Sequence, residues 1–271
     1  MKHGIIQYLF RIIFFLIIPV IFLFGCSEVK PVTESVRFAI LGNTSPDSPF
    51  TGFTKSLPAT LSEIESRKPQ IIIHTGNALY GGSDADGILE SDLKRQLDIF
   101  FPLLKKLHTA VYTIPGEKDY FNGSLDLYSR FSGRKAAYSF NYGSIHFIGL
   151  SSAEPGDSFI DDAQLKWLKD DLNDFNDYSA IFIFAHHQLF PDKKKNQTSE
   201  KREELHKLFL NYRVKAVFSG TDRDLNVKIK DSIKYINAGC NISADKKNSK
   251  KMNRFYIINF IDNEIEIDPV R

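Results

Sequence analysis

Five short segments gather the residues of this chain that are able to bind a cation or a phosphoryl group. They are Leu41–Ser45 (LGNTS), His74–Gly82 (HTGNALYGG), Ile114–Tyr120 (IPGEKDY), Phe184–Phe190 (FAHHQLF) and Phe218–Asn226 (FSGTDRDLN). Glu117, Asp119 and Asp222 supply carboxylates and His186 an imidazole, a set that suits one cation with oxygen-rich ligation. Asn43 and Asn77 offer neutral carbonyl oxygens, which bring no charge to a bound cation. Lys118 and Arg223 place fixed positive charge in the same segments, which repels a cation and favours an anion. Lys118, Arg223, His186 and His187 are therefore the candidate anion-binding residues. Lys118, His186 and His187 are also the candidates for any catalytic role.

The elements that must hold these segments can be read from pattern. Short apolar runs closing on turn residues predict strands at 36–41, 71–74, 110–114, 180–185 and 215–219. A hairpin is expected over 136–142 and 144–150 around Gly143, and short strands over 225–230, 233–237, 254–260 and 263–267. Helical spacing predicts helices over 54–67, 90–107, 124–131, 162–174 and 200–212. Pro102 is expected to end or kink the second of these, and Asp161 or Asp162 to cap the fourth. Alternating strands and helices followed by strands alone give an α/β domain with mixed sheets covered by helices. The five segments fall at carboxyl ends of strands, where such sheets carry their functional loops.

In order and spacing, the five segments resemble the calcineurin-like metallophosphoesterase family. The resemblance runs from about Arg37 to Asp268. It implies two packed mixed β-sheets flanked by helices, in four α/β/β/α layers. It also implies a two-metal centre in which a shared carboxylate bridges the ions and the metals clamp a phosphoryl group. The family loops read GDxH, GD (GDxxY in the purple acid phosphatase branch), GNHD or GNHE, HH, and GHxH. The corresponding residues here are Asn43 and Ser45, then Asn77 and Tyr80, then Glu117 and Lys118, then His186, then Thr221 and Arg223. Of the general family ligands only His186 is kept, and Tyr80 fills the extra position of one branch. The frame thus implies the fold, while the residues inside it point to a domain that is catalytically inactive and needs no metal. Lys118 and Arg223 are expected to pair with Glu117, Asp119 or Asp222 where the metals would sit. The alternative is an active phosphoester hydrolase using a single Mn, Zn or Fe ion held by Glu117, Asp119, Asp222 and His186.

Residues 1–25 have the pattern of a signal peptide: Lys2 and Arg11, an apolar run from Ile12 to Phe24, and then Leu23-Phe24-Gly25-Cys26, which resembles a lipoprotein cleavage site. Lipidation at Cys26, a polar tether over 26–35 and one domain over 36–271 are expected. That assignment places the domain outside the cytoplasm of a bacterial cell envelope, held to a membrane by its lipid. Without the leader the 271-residue chain is formally neutral, because the leader carries Lys2, Arg11 and no acid, against totals of 35 basic and 33 acidic residues. Neutrality argues against nucleic acid as a partner. With Cys26 lipidated, Cys240 has no disulfide partner and is expected as a small buried side chain. His74 and His146 read as structural, Tyr80 as a packed aromatic, and 192–203 as a solvated charge run. No protein partner can be named from the sequence.

Overall fold

The computed structural model describes residues 35–53, 56–153, 160–190, 199–221, 225–238 and 255–270. The chain divides into Met1–Val32, which lies outside the described residues, and a compact unit Thr33–Arg271. Cys26, Cys240, Asp222, Arg223 and the charged 192–198 stretch also lie outside them. Among the described residues no helix is long and apolar enough to cross a membrane.

Two mixed sheets form the centre of the domain. The first contains β1 (Val36–Leu41), β2 (Ile71–His74), β3 (Ala110–Thr113), β10 (Phe255–Ile261) and β11 (Glu264–Val270), in the order β11-β10-β1-β2-β3. The second contains β4 (Tyr138–Tyr142), β5 (Ile145–Leu150), β6 (Ala180–Ala185), β7 (Val214–Ser219), β8 (Asn226–Lys230) and β9 (Ile233–Asn237), in the order β4-β5-β6-β7-β9-β8. Strands β1, β2 and β3 are parallel, as are β5, β6, β7 and β9, so each sheet ends its parallel strands at one edge. The antiparallel strands β10, β11, β4 and β8 sit at the flanks.

Alternation along the strands explains why the sheets stack. Phe38 and Ile40 on β1, and Phe182 and Phe184 on β6, face the space between the sheets. Ala39 and Leu41, and Ile181 and Ile183, face the outer layers instead. A strand buried on both faces reads as the continuous apolar run seen in AIFIFA. Phe38 sits at the middle of this inner layer, with ring centres of Phe147, Phe182, Phe184 and Phe218 between 5.5 and 5.9 Å away. Helices α1 (Ser56–Ser66), α2 (Glu90–Lys105) and α3 (Asp126–Ser132) cover the outer face of the first sheet. Helices α4 (Asp162–Asp174) and α5 (Ser199–Leu210) are on the side of the second. The result is the four-layer α/β/β/α arrangement.

Asp161 caps α4, its carboxylate accepting the Gln164 N–H at 2.6 Å. Helix α2, in contrast, runs through Pro102 to Lys105 rather than stopping there. Pro102 and Asp98, whose carbonyl loses its helical donor, are both exposed, so the freed acceptor lies on the solvent side, away from the packed face formed by Leu97, Phe100, Phe101 and Leu104.

Candidate functional site

The loops after β1, β2, β3, β6 and β7 meet at one rim because close backbone approach ties them together. Asn43 and Ser45 donate their backbone N–H groups to the carbonyls of Gly76 and Asn77, joining the first and second loops. Gly220 donates to the His186 carbonyl, joining the fifth and fourth. Thr75 stands between the first and fifth loops: a Cβ at Gly42 or Gly220 would come within 2.5 or 2.3 Å of its hydroxyl. Gly76 adopts φ +98° with its α-carbon against the Gly116 backbone, a position closed to any side chain. These contacts are the physical content of the glycine frame in the sequence.

Asn43 and Asn77 are both left-handed, at φ 50° and 59°, a conformation asparagine tolerates. Their side chains also form a directed chain of hydrogen bonds. The Lys118 N–H donates to Asn77 Oδ1 (2.9 Å), Asn77 Nδ2 donates to Asn43 Oδ1 (3.1 Å), and Asn43 Nδ2 donates to the Gly220 carbonyl (2.7 Å). A backbone group at each end fixes both amide orientations. Carboxylates cannot propagate this chain, because they have no donor to pass on. The two amides therefore bind the third, second, first and fifth loops to one another.

Asp119 and Glu117 lie on one 3-10 turn, Glu117–Asp119, yet face opposite ways. Asp119 is buried, and its two oxygens accept the backbone N–H groups of Gly116, Asn77, Ala78 and Leu79 at 2.7 to 2.9 Å. Burial pushes its carboxyl up to about 6, against the N–H donors that draw it down. Glu117 points outward and meets the two histidines, its Oε2 3.0 Å from His187 Nε2 and 3.6 Å from His186 Nε2. The imidazoles of His186 and His187 hold its carboxyl well below the usual range.

The histidines are oriented from behind. His186 Nδ1 lies 2.7 Å from the Thr75 carbonyl, and His187 Nδ1 2.5 Å from the Ser152 carbonyl. Ser152 Oγ also accepts the His187 N–H. The neighbouring Ser151 is clasped by the Gln164 side chain, which reaches both its N–H and its carbonyl at 2.8 Å. Helix α4 thus positions His187 through the loop after β5.

The expected pairing of Lys118 with Glu117 or Asp119 does not form. Asp119 is satisfied by peptide groups, Glu117 faces the histidines, and the Lys118 ammonium lies 5.8 Å from the centre of the Tyr80 ring. Asp119 also has no oxygen left for the single-metal set that joined it to Glu117, Asp222 and His186. Tyr80 packs against the core of the first sheet, with its N–H bonded to Gln96 Oε1. Ser45 is buried and Thr221 half-buried. Arg223 and Asp222 lie outside the described residues.

His74 and His146 are buried. His146 bonds Asn141 and Asp171 and stacks on Phe175. His74 Nδ1 accepts the Gly76 N–H while its Nε2 faces the Thr44 hydroxyl at 3.0 Å, so the ring is neutral. Burial first, and the charge of His186 second, push it down to about 3 from 6.5. Between those values the unfolded chain binds a proton that the native ring refuses, so stability falls as pH falls. The expected slope from this group alone approaches about 1.4 kcal/mol per pH unit, and Asp119, raised from 3.8 to about 6, acts in the opposite sense over most of the same window, so His74 is seen by its removal. Urea denaturation from pH 7 to pH 4 checks this: His74→Gln should flatten the dependence, and an unchanged slope would exclude His74 as its source.

The four-layer fold with strand-end loops gathered at one rim matches the metallophosphoesterase class of domain. The chain belongs to the calcineurin-like phosphoesterase family, which its residues 51–220 match. The sequence has no significant match among curated proteins. Among solved structures, a dimetal phosphatase from Danio rerio is 13% identical, with 86% of this chain and 95% of that one covered at a TM-score of 0.65. GAP50, the anchor in the inner membrane complex of Plasmodium, is 16% identical over 87% of this chain and 84% of its own, at 0.60. A purple acid phosphatase from yellow lupin (Lupinus luteus) seeds is 14% identical over 88% of this chain and 52% of its own, at 0.58. At these identities the likeness is one of fold.

The two-metal group implied by that fold does not fit these residues. The position that calls for a shared carboxylate holds Asn77, whose amide oxygen already accepts the Lys118 N–H and whose nitrogen points at Asn43. Asp119 is turned into the peptide groups behind it.

Proposed function

We propose that this domain binds rather than hydrolyses: a lipid-anchored envelope protein that uses a phosphoesterase fold as a binding or scaffolding surface. The observation that carries the reading is the Lys118–Asn77–Asn43–Gly220 hydrogen-bond chain, which fills the centre of the rim with neutral amides where two ions would need a common anionic ligand. The ligand chemistry favoured is an anion carrying a phosphate group, met by Lys118, His186 and His187 from the third and fourth loops and by Arg223 from the fifth. GAP50, an anchor by its description, shares this fold, so anchoring is among the uses to which the fold is put. Support for the lipid comes from the Leu23-Phe24-Gly25-Cys26 sequence.

The test uses the full chain purified from the membrane fraction, from which Cys26→Ser should release it. With manganese, zinc or iron added, it is expected to show no turnover of p-nitrophenyl phosphate or its diester above the metal blank. Inorganic phosphate should raise its melting temperature, and Arg223→Ala should remove that shift. Metal-stimulated turnover abolished by His186→Ala would establish the hydrolase alternative instead.

A further inference from the structure

Glu117, His186 and His187 bring three ligand atoms within 4.8 Å of one another. We propose that they form a mononuclear site for one zinc-class divalent cation, with an open position toward the solvent. This departs from the metal-free rim expected from the loop sequences. It also uses a different donor set from the one weighed there, with His187 replacing Asp119 and Asp222.

Each Nδ1 faces a backbone carbonyl, so each carries a hydrogen, and each ring turns its Nε2 toward the rim. Both Nε2 atoms converge on one carboxylate oxygen, that of His187 at 3.0 Å and that of His186 at 3.6 Å, so two imidazoles and a carboxylate meet at one point of the rim. Among the described residues, the buried His186 Nε2 has no hydrogen-bond partner. Such an atom carries a standing cost that a metal bond removes.

Spacing gives a second argument. Ligands at about 2.05 Å from a tetrahedral zinc ion are separated by about 3.3 Å. The two carboxylate–imidazole distances bracket that value. Two imidazoles and one carboxylate form an intermediate donor set, which favours zinc and its transition-metal neighbours over magnesium or calcium. The hydrogen bonds behind the rings, to Thr75 and Ser152, supply the outer support that such ligands need. Three protein ligands leave a fourth position, and the half-exposed Glu117 side chain places it on the solvent side of the rim. A water or a phosphate oxygen fits there. One ion held this way lies beside the Asn43–Asn77 chain and leaves it intact.

The test titrates the metal-stripped full chain with zinc chloride by calorimetry, with magnesium chloride as the contrast, and records the visible spectrum of the cobalt-substituted protein. The expected result is one zinc per chain, at least 100-fold tighter than magnesium, with the intense cobalt bands of a tetrahedral site. Glu117→Gln, a change at a half-exposed side chain that leaves the fold in place, and His187→Ala should each weaken zinc at least 10-fold. Absence of binding, two ions per chain, or one ion held equally well by both variants would overturn the assignment. Phosphoester turnover would overturn the binding reading above without touching the zinc stoichiometry. A zinc-free protein would overturn this site without touching that reading.

Discussion

Asp119→Ala is expected to cost about 4 kcal/mol or more of folding stability, placing it among the rare large single-residue effects. The loss does not come from a contact with solvent or ligand. It comes from the four peptide N–H groups, of Gly116, Asn77, Ala78 and Leu79, that would be left buried without an acceptor. Each orphaned donor costs about 1–3 kcal/mol, and relaxation of the turn recovers part of the sum. A carboxyl raised to about 6 is still ionised at neutral pH, so the bonds being removed are charge-assisted. Asp119→Asn keeps one acceptor oxygen and should lose about half as much. Guanidinium denaturation of the two variants decides the matter. Equal and small losses, within about 1 kcal/mol of wild type, would show that the second and third loops hold their shape without this anchor.

The contrast between Asp119 and Glu117 shows where the sequence stops being informative. Both are acids of one loop, and both were read as equivalent candidates for pairing or ligation. A single 3-10 turn separates their fates, sending Asp119 under the backbone and Glu117 out to the histidines. The available signal was the Gly-x-x-Asp spacing of Gly116 and Asp119, which lets an aspartate fold back on the N–H three residues before it. The orientation of His187 left no such trace, because the group that fixes it is the carbonyl of Ser152, and every residue has a carbonyl. The same holds for His186 and Thr75.

The strands were more legible because burial on both faces writes itself into composition. Runs such as IIIH and AIFIFA suit central strands, and both were placed to the residue. Their order was not legible. Strand β10 comes near the end of the chain yet pairs with β1 in antiparallel register, Val36 against Phe260. Nothing local in FYIINFI names that partner. Of the two outcomes expected at Pro102, an end to the helix does not occur, because the freed carbonyl lies on the exposed face, a tertiary fact.

Replacing both rim asparagines with aspartates should destabilise the metal-stripped protein by about 6 kcal/mol, through charge rather than shape. The side chains are isosteric and their backbones stay left-handed, so packing is preserved. What changes is the hydrogen-bond chain. The Asn77 donor to Asn43, at 3.1 Å, becomes an oxygen facing an oxygen, and the Asn43 donor to Gly220 is lost as well. Two carboxylates in that contact repel by about 4 kcal/mol at an effective dielectric near 20, and each lost hydrogen bond adds about 1 kcal/mol. Protonating one carboxyl offers an escape, but at neutral pH that costs about 4 kcal/mol from an ordinary aspartate pKa, so neither route is cheap. The loss should shrink as pH falls toward the carboxylate range, where the proton becomes available. Asn43→Asp and Asn77→Asp measured singly complete the cycle, and the double variant should lose more than their sum. Simple additivity would reduce the two amides to turn residues. Coupling of a few kcal/mol would show that the rim is stable without its two ions because amides, and not acids, join its loops.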